Sequence, residues 1–594
     1  MGKTVKRRDD EDFGLDAEMW GGTRAVAYPL TNRNRWYHDS KYGMFIHWGL
    51  YSKLAGVWDG RAYHGISEWI QFQARIPSED YARTARRFNP SVFDPSAWVK
   101  LAKEAGMRYI VITAKHHDGF ALFKSAASPF NMADATPCGI DALAELAEAC
   151  RKGGVPLGFY YSQTQDWHEP DALGNSWEPL QAAHDFPAYL EKKALPQIRE
   201  LLTGYGNVPL LWFDTPGPIT AEQSRRIIAE VRRHQPDCLV NSRLGNGLGD
   251  YETLGDQEIP NVSKEGVWET IDTHNDTWGF SAHDCCWKSP AAIAMRLVNV
   301  VSRGGCYVLN VGPDSDGRIP QLCAAILREV GAWLDEAAEA VYAAAPSPID
   351  APPWGACTAK GNRLFLHVFT WPADGRLVVP GVFSGNPRAK MLTGARTELS
   401  AVVAEDHLTL CLPGDVPQTL VPIVELICDS LPARLPTRMA LGGYVNIFHA
   451  AAAAIDGCEK LKHSWMEKFG DWKHAECLTG WKDDGVAKWR FILHMEQIFT
   501  IHIEYSSSFD EGDATWCLST AATNFEFVLP PSGTESTGRD GWPARHRFHI
   551  ASVATVAFRP GEHILRLAPS TATGRSASIA AIRLVPLRMK TAED

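Results

Sequence analysis

Nothing in this 594-residue chain is apolar for long enough to cross a bilayer as a helix. Its first residues, MGKTVKRRDDEDFGLDAEMW, run basic and then acidic, without the apolar core of a signal peptide. Positive charge is in deficit. Lys and Arg total 59 against 70 Asp and Glu, a net charge of −11, which argues against nucleic acid or an anionic membrane as partner. The 13 cysteines are odd in number and irregular in spacing; Cys285–Cys286 is a vicinal pair, and no paired CxxC array of the zinc type occurs. There is no HExxH, and the glycine-rich RGGCYVLNVGPDSDG (303–317) has neither GxGxxG nor Walker spacing, so no nucleotide is implied. The expectation left by these absences is a cytoplasmic protein with reduced thiols and neither metal nor organic cofactor. A secreted or periplasmic one fits if a signal was removed upstream.

What the chain has in excess is tryptophan, 21 residues in all. Indole faces stack on sugar rings while the N–H finds a hydrogen bond, so carbohydrate becomes a candidate ligand; filling large cores is the plainer use. Length points to roughly two to four domains. Six stretches run apolar and then switch to polar or charged groups where the run stops. They are FIHWGLY (45–51), YIVITAKHHDGF (109–120), LGFYYSQ (157–163), VPLLWFDTP (208–216), CLVNSR (238–243) and YVLNVGP (307–313). Helical segments at 94–106, 139–154, 185–206, 219–237, 289–305 and 320–344 alternate with them, and Pro196 predicts a kink in the third. The pattern predicts an α/β fold, an irregular (β/α)8-like barrel, with one or two further strands near 61–75 and 264–270. Such a barrel gathers its strand ends on one face, where its chemistry is done.

Prolines cluster at 346–356, short alternating strands over 360–428 predict a β-sandwich, and a Pro-containing linker at 430–440 leads to more strands. The domain reading is therefore a poorly ordered extension (1–25), a catalytic barrel (26–347), a β-sandwich (348–432) and a C-terminal β-rich domain (433–594) of carbohydrate-binding-like character.

Asp214 closes the apolar run VPLLWF, so its carboxylate must meet water, a ligand or a cation, because burying it unpaired is costly. A helix cap or a strand-end salt bridge is the plainer role. Further carboxylates follow in GDYETLGDQEIP (249–260) and VWETIDTHNDTWGF (267–280). Two carboxyls facing each other across a small pocket are equipment for cleaving a glycosidic bond, one attacking and one protonating, with pKa values pushed apart. His116 and His117 are adjacent, so both can line one site only where their strand has ended or bulged. Their spacing suits hydroxyl recognition by neutral imidazoles better than chelation. His47 beside Trp48 offers the same pairing of hydrogen bond and stacking face; a satisfied core histidine is the bland alternative for each.

WYHDSKYGMFIHWGLYS, SEWIQFQARIPSEDYARTARRFNP, AKHHDGFALFKS, GFYYSQTQDW, LLWFDTPG, the WET…WGF stretch and RGGCYVLNVGPDSDGRIP occur in that order over about residues 35–345. Together they resemble the family 29 glycoside hydrolases, the α-L-fucosidases. The resemblance implies an exo-acting, retaining hydrolase working through a covalent fucosyl-aspartate, without cofactor, on a fucosylated oligosaccharide or glycoconjugate. It implies Asp214 as nucleophile and His47, Glu68, Trp69, His116, His117, Tyr161, Trp212 and Arg243 as fucose-binding groups, with Phe280 against the C5 methyl. The family's acid/base loop, roughly TPEQxIP, reads TLGDQEIP here and falls on Asp256; Glu269 of WET is the second candidate and Glu258 the third. Rival readings are a fucose-binding protein on a decayed scaffold and a glycosidase for a galactose-like sugar, against which Phe280 favours fucose.

Overall fold

The computed structural model describes residues 27–178, 184–509, 513–535, 544–570 and 577–587; the extension read at 1–25 lies outside them. Eight parallel strands make one sheet: β1 (Tyr42–Ile46), β2 (Ile110–Lys115), β3 (Leu157–Tyr161), β4 (Leu210–Phe213), β5 (Leu239–Val240), β6 (Glu252–Thr253), β7 (Trp268–Thr273) and β8 (Cys306–Val311). Their order is β5-β4-β3-β2-β1-β8-β7-β6. The two edges meet, because Asn241 just past β5 bridges Tyr251 just before β6, and its side chain donates to Thr253 Oγ1 at 3.1 Å. Every residue of β1 to β5, β7 and β8 is buried, which is why these strands read as continuous apolar runs rather than alternations. Pleating still sorts them. Phe45, Val111, Tyr160, Trp212, Ile271 and Val308 fill the barrel interior, while Met44, Ile112, Phe159, Tyr161, Leu211 and Phe213 face the helices.

The helices begin where the sequence supplies caps. Asp94 accepts from Ala97 N at 3.0 Å to open Pro95–Glu104, and Asp141 accepts from Ala144 N at 2.9 Å to open Ala142–Gly153. The kink read at Pro196 is a π-helical turn, Leu190–Ala194, between Phe186–Tyr189 and Leu195–Gly204. Proline cannot donate into the helical ladder, and it falls at the start of the last piece, where a donor is dispensable. One expectation fails: 61–75 holds no barrel strand, since Ser67–Trp69 and Ile70–Gln73 are helical turns. The two elusive strands are β6, two residues long, and β7.

Beyond the barrel, seven antiparallel strands between Gly355 and Ile427 enclose a core of Leu364, Leu366, Leu377, Leu408 and Leu426. The last region is a sandwich. Strands Val486–Leu493, Ala514–Ser519 and Gly561–Pro569 lie in one sheet, and Gln497–Ser506, His549–Phe558 and Ser578–Pro586 in the other. Trp489, Phe491, Trp516, Ile501 and Ile582 are buried in its core. A hairpin on the second sheet, Glu459–Met466 with Trp472–Thr479, reaches back to the barrel, where Ile66 N donates to Phe469 O at 3.3 Å. Gly65, at φ +105°, meets the same carbonyl, and an added Cβ would stand 2.5 Å from it. Among the described residues no helix is long and apolar enough to cross a membrane.

Candidate active site

Asp214 follows β4 directly, and the chain turns away at once through Thr215, whose φ of +40° is unfavourable for a branched residue. The turn is held from the β3 side: Gln165 Nε2 donates to Thr215 Oγ1 at 2.9 Å, and Thr164 Oγ1 donates to the Thr215 carbonyl at 2.6 Å. Gln163 Oε1 accepts from Asp214 N at 3.0 Å. The strained turn therefore aims the carboxylate into a cavity lined by His47, Glu68, Trp69, His116, His117, Trp212, Arg243 and Asp256.

Arg243 ties the two acids together. Its Nη1 donates to Asp214 Oδ1 at 2.8 Å and its Nη2 to Asp256 Oδ1 at 2.6 Å, with the guanidinium 5.0 Å from the centre of the Trp212 ring. Tyr160 OH donates to Asp214 Oδ2 at 2.9 Å, and His117 Nε2 lies 3.6 Å from the same oxygen. Burial pushes the Asp214 carboxyl up, but Arg243, His117 and the Tyr160 hydrogen bond outweigh it and hold the group below the usual carboxylate range. At Asp256 burial prevails over Arg243, the Asp214 charge adds to it, and the carboxyl is held above that range. The pair is thus split into an anion and an acid by its surroundings.

The histidines are held neutral. Burial takes His47 down to about 4 and His117 to about 3, and it drives His116 well below 6.5. His47 Nδ1 meets Asn310 Oδ1 at 2.7 Å, so that nitrogen carries the proton and Nε2 keeps a lone pair. His117 Nδ1 meets Ser162 Oγ at 2.7 Å. Both His116 and His117 reach the cavity because β2 ends at Lys115 and its register with β3 slips between Thr113 and Lys115. Glu68 is buried, with Oε2 accepting from Gly279 N at 2.9 Å and Oε1 without a partner; burial raises its carboxyl to about 7. An unsatisfied oxygen at the cavity wall suits a ligand hydroxyl.

Four residues singled out from the sequence lie elsewhere. Tyr161 points outward and donates to Gln197 Oε1 at 2.9 Å; its neighbour Tyr160 is the tyrosine on the cavity wall. Trp278, not Phe280, lines the cavity, its ring 5.2 Å from that of His47. Glu269 sits in the barrel interior, where its oxygens accept from Trp212 Nε1 at 2.6 Å, from Thr253 Oγ1 at 2.5 Å and from Tyr37 OH. Glu258 turns to the C-terminal hairpin, 2.9 Å from Lys462 Nζ. For the tyrosines the difference is one of side-chain parity, which alternation against the inward Trp212 resolves; Trp278 and Phe280 lie two residues apart in a loop, where no strand parity applies. Met466, Phe469 and Trp472 of the C-terminal hairpin also line the cavity, and no motif in the chain signals them.

At the surface, Asp276, Asp284 and Cys286 bring ligating atoms within 4.8 Å of one another, but Lys468 already pairs with Asp276. The cavity itself contains a carboxylate pair, neutral imidazoles and aromatic faces, which is the chemistry of sugar transfer to a nucleophile.

Comparison with known proteins bears on that chemistry. A family model described as alpha-L-fucosidase matches residues 26–339. The tissue alpha-L-fucosidase of Rattus norvegicus is 30% identical over 366 residues, 57% of this chain and 77% of that protein. The crystal structure of alpha-L-fucosidase from Vibrio sp. strain EJY3 is similar with a TM-score of 0.76 at 29% identity, covering 94% of this chain and 99% of that one. Alpha-L-fucosidase AlfC from Lactobacillus casei is 44% identical with a TM-score of 0.50, covering 52% of this chain and 100% of that one. The chain belongs to the α-L-fucosidase family, glycoside hydrolase family 29.

Proposed function

We propose that this protein is an exo-acting retaining α-L-fucosidase in which Asp214 is the nucleophile and Asp256 the acid/base. The observation that carries the assignment is the single guanidinium of Arg243 joining two carboxyls whose pKa values are pushed in opposite directions. Double displacement calls for two carboxyls facing one anomeric carbon, roughly 5 Å apart, and the Arg243 fork holds one oxygen of each acid on the same cavity wall. In the first step an Asp214 oxygen bonds to the anomeric carbon as the glycosidic C–O bond breaks, and Asp256 gives its proton to the departing oxygen. In the second, Asp256 takes a proton from water, the hydroxide oxygen bonds to the same carbon, and the Asp214 ester bond breaks to release fucose with its configuration retained.

His47, His116, His117, Glu68 and Arg243 would hold the ring hydroxyls, with Trp69, Trp212 and Trp278 as the apolar walls. Residues 26–347 carry the chemistry in this reading, and 348–432 and 433–594 are the two β-rich domains that follow. One mutant of the Lactobacillus casei relative is known in complex with 4-nitrophenyl-α-L-fucopyranoside and with Fucα(1,6)GlcNAc, which supports fucosylated glycans as the substrate class. All 13 cysteines are free, which supports a reducing, cytoplasmic setting. Incubation with a 2-deoxy-2-fluoro-fucosyl donor, followed by peptide mapping, tests the assignment. The adduct is expected on the peptide holding Asp214; an adduct on any other residue overturns it.

A further inference from the structure

The turn of the hairpin Glu459–Met466/Trp472–Thr479 belongs to the C-terminal domain, yet it walls the cavity that holds Asp214 and Asp256. We infer that this hairpin builds the leaving-group side of the site. The C-terminal domain then selects the glycan to which fucose is attached, and the substrate is a fucosylated oligosaccharide whose remaining sugars lie between barrel and hairpin. The inference rests on the fucosidase reading above and deepens it.

Position is the first support. The hairpin is pinned to the loop of the proposed acid, the residue nearest the departing oxygen. His474 Nε2 lies 3.0 Å from the Asp256 carbonyl, and Lys462 Nζ lies 2.9 Å from both Glu258 oxygens. The contact is tight enough that a Cβ on Gly255 would stand 2.4 Å from the His474 ring.

Chemistry is the second. Phe469 stacks on Phe72 at 6.0 Å and meets Trp69 edge-on at 5.8 Å, so barrel and hairpin share one aromatic wall. Such a wall offers flat apolar faces to the C–H side of a pyranose. Continuity is the third. Trp472 also lines a second cleft, bounded by Gln257 and Glu258 of the acid's loop and by Trp465, His474, His546 and Phe548. One indole thus separates the nucleophile's cavity from a groove that mixes aromatic rings with hydrogen-bonding groups, as sugar-binding surfaces do. A sandwich acting as an independent sugar-binding module has no need to place its groove against the acid's loop.

The test uses the full chain and two kinds of donor. α-L-Fucosyl fluoride has a one-atom leaving group that cannot reach the hairpin. The glycans are fucosyl-α(1→2)-galactose and the α(1→3), α(1→4) and α(1→6) fucosides of N-acetylglucosamine, of which the fastest is taken, each also as a longer oligosaccharide. Trp472→Ala and Phe469→Ala are expected to lower kcat/KM on the glycan at least about tenfold more than on the fluoride, chiefly through KM. Trp472→Phe, which keeps an aromatic face and the fold, should recover most of the loss. His546→Ala, at the far wall of the groove, should depress the longer oligosaccharide about threefold more than the disaccharide. Equal losses on fluoride and glycan, or no loss on either, overturn the inference. Failure of the wild-type enzyme to turn over fucosyl fluoride would instead overturn the fucosidase reading beneath it.

Discussion

Two layers of the barrel each bury carboxyl groups around Trp212, and they do opposite things with them. In the lower layer Glu269, 1% exposed, accepts from Trp212, Thr253 and Tyr37, all neutral donors from the barrel's own strands and first helix. In the upper layer Asp214 and Asp256 share Arg243, and their side chains keep 13% and 15% exposure to the cavity. Burial raises Glu269 much as it raises Asp256. A perturbed pKa therefore does not mark the acid by itself. What separates the layers is access: the lower carboxyl has spent its lone pairs on the fold, while the upper pair faces open space beside a cation.

The largest effect expected is on the upper layer. Asp214→Asn should cost on the order of 10⁴-fold or more in kcat with the unfolding temperature nearly unchanged. Replacing Asp214 by glycine and supplying azide should restore turnover to an azide product of inverted configuration. A near-wild-type rate for Asp214→Asn would break the contrast outright.

Asp256→Asn comes next, with losses of about 10²- to 10⁴-fold on glycans and far smaller ones on fucosyl fluoride, which needs little protonation. The pH profile of kcat/KM carries the same contrast. The proposed mechanism requires Asp214 ionised and Asp256 protonated. Activity should rise with pH as Asp214 loses its proton, below the ordinary carboxylate range, and fall as Asp256 loses its own, above that range. Asp256→Asn should remove the alkaline limb from the residual activity on the glycan; a limb that survives belongs to another acid.

Tyr160→Phe deletes one hydrogen bond to Asp214 and is expected to lower kcat/KM about tenfold, while Tyr161→Phe stays within about twofold. Removing that donor also favours protonation of Asp214, so the acid limb of the Tyr160→Phe profile should move to higher pH. Equal responses from the two tyrosines would erase the distinction between cavity-facing and helix-facing side chains.

The smallest effect on rate should come from Glu269→Gln, within about threefold, with a stability loss of about 1–3 kcal/mol seen by denaturant titration as one donor meets an amide N–H₂. A rate loss rivalling that of Asp256→Asn would exchange the roles of the two layers.

Strand-end polarity made Asp214 legible, because an apolar run that stops on a carboxylate leaves few explanations. The paired histidines carried their own condition, a strand that ends or bulges, and the structure meets it at Lys115. Tyr161 was singled out because a motif places a segment, whereas pleating decides which of two neighbouring tyrosines faces the cavity; Phe280 lies in a loop two residues past the cavity-lining Trp278, where no periodicity guides the choice. β6 escaped the reading because its two residues, Glu252 and Thr253, are polar and sit in no apolar run, whereas the equally short β5 lies within one.

The order of apolar runs, caps and breakers by itself determined the barrel, the succession of β-rich regions behind it and the strand end that bears Asp214. Those are local preferences repeated along the chain, and each is written where it acts. Tertiary structure alone decided which carboxyl faces the cavity, since Asp256, Glu258 and Glu269 differ only in what packs against them. It alone brought Phe469 and Trp472 to a cavity whose other residues lie some hundreds of positions earlier in the chain. Contacts at that separation come from two surfaces fitting together, and neither surface carries a signature of the other.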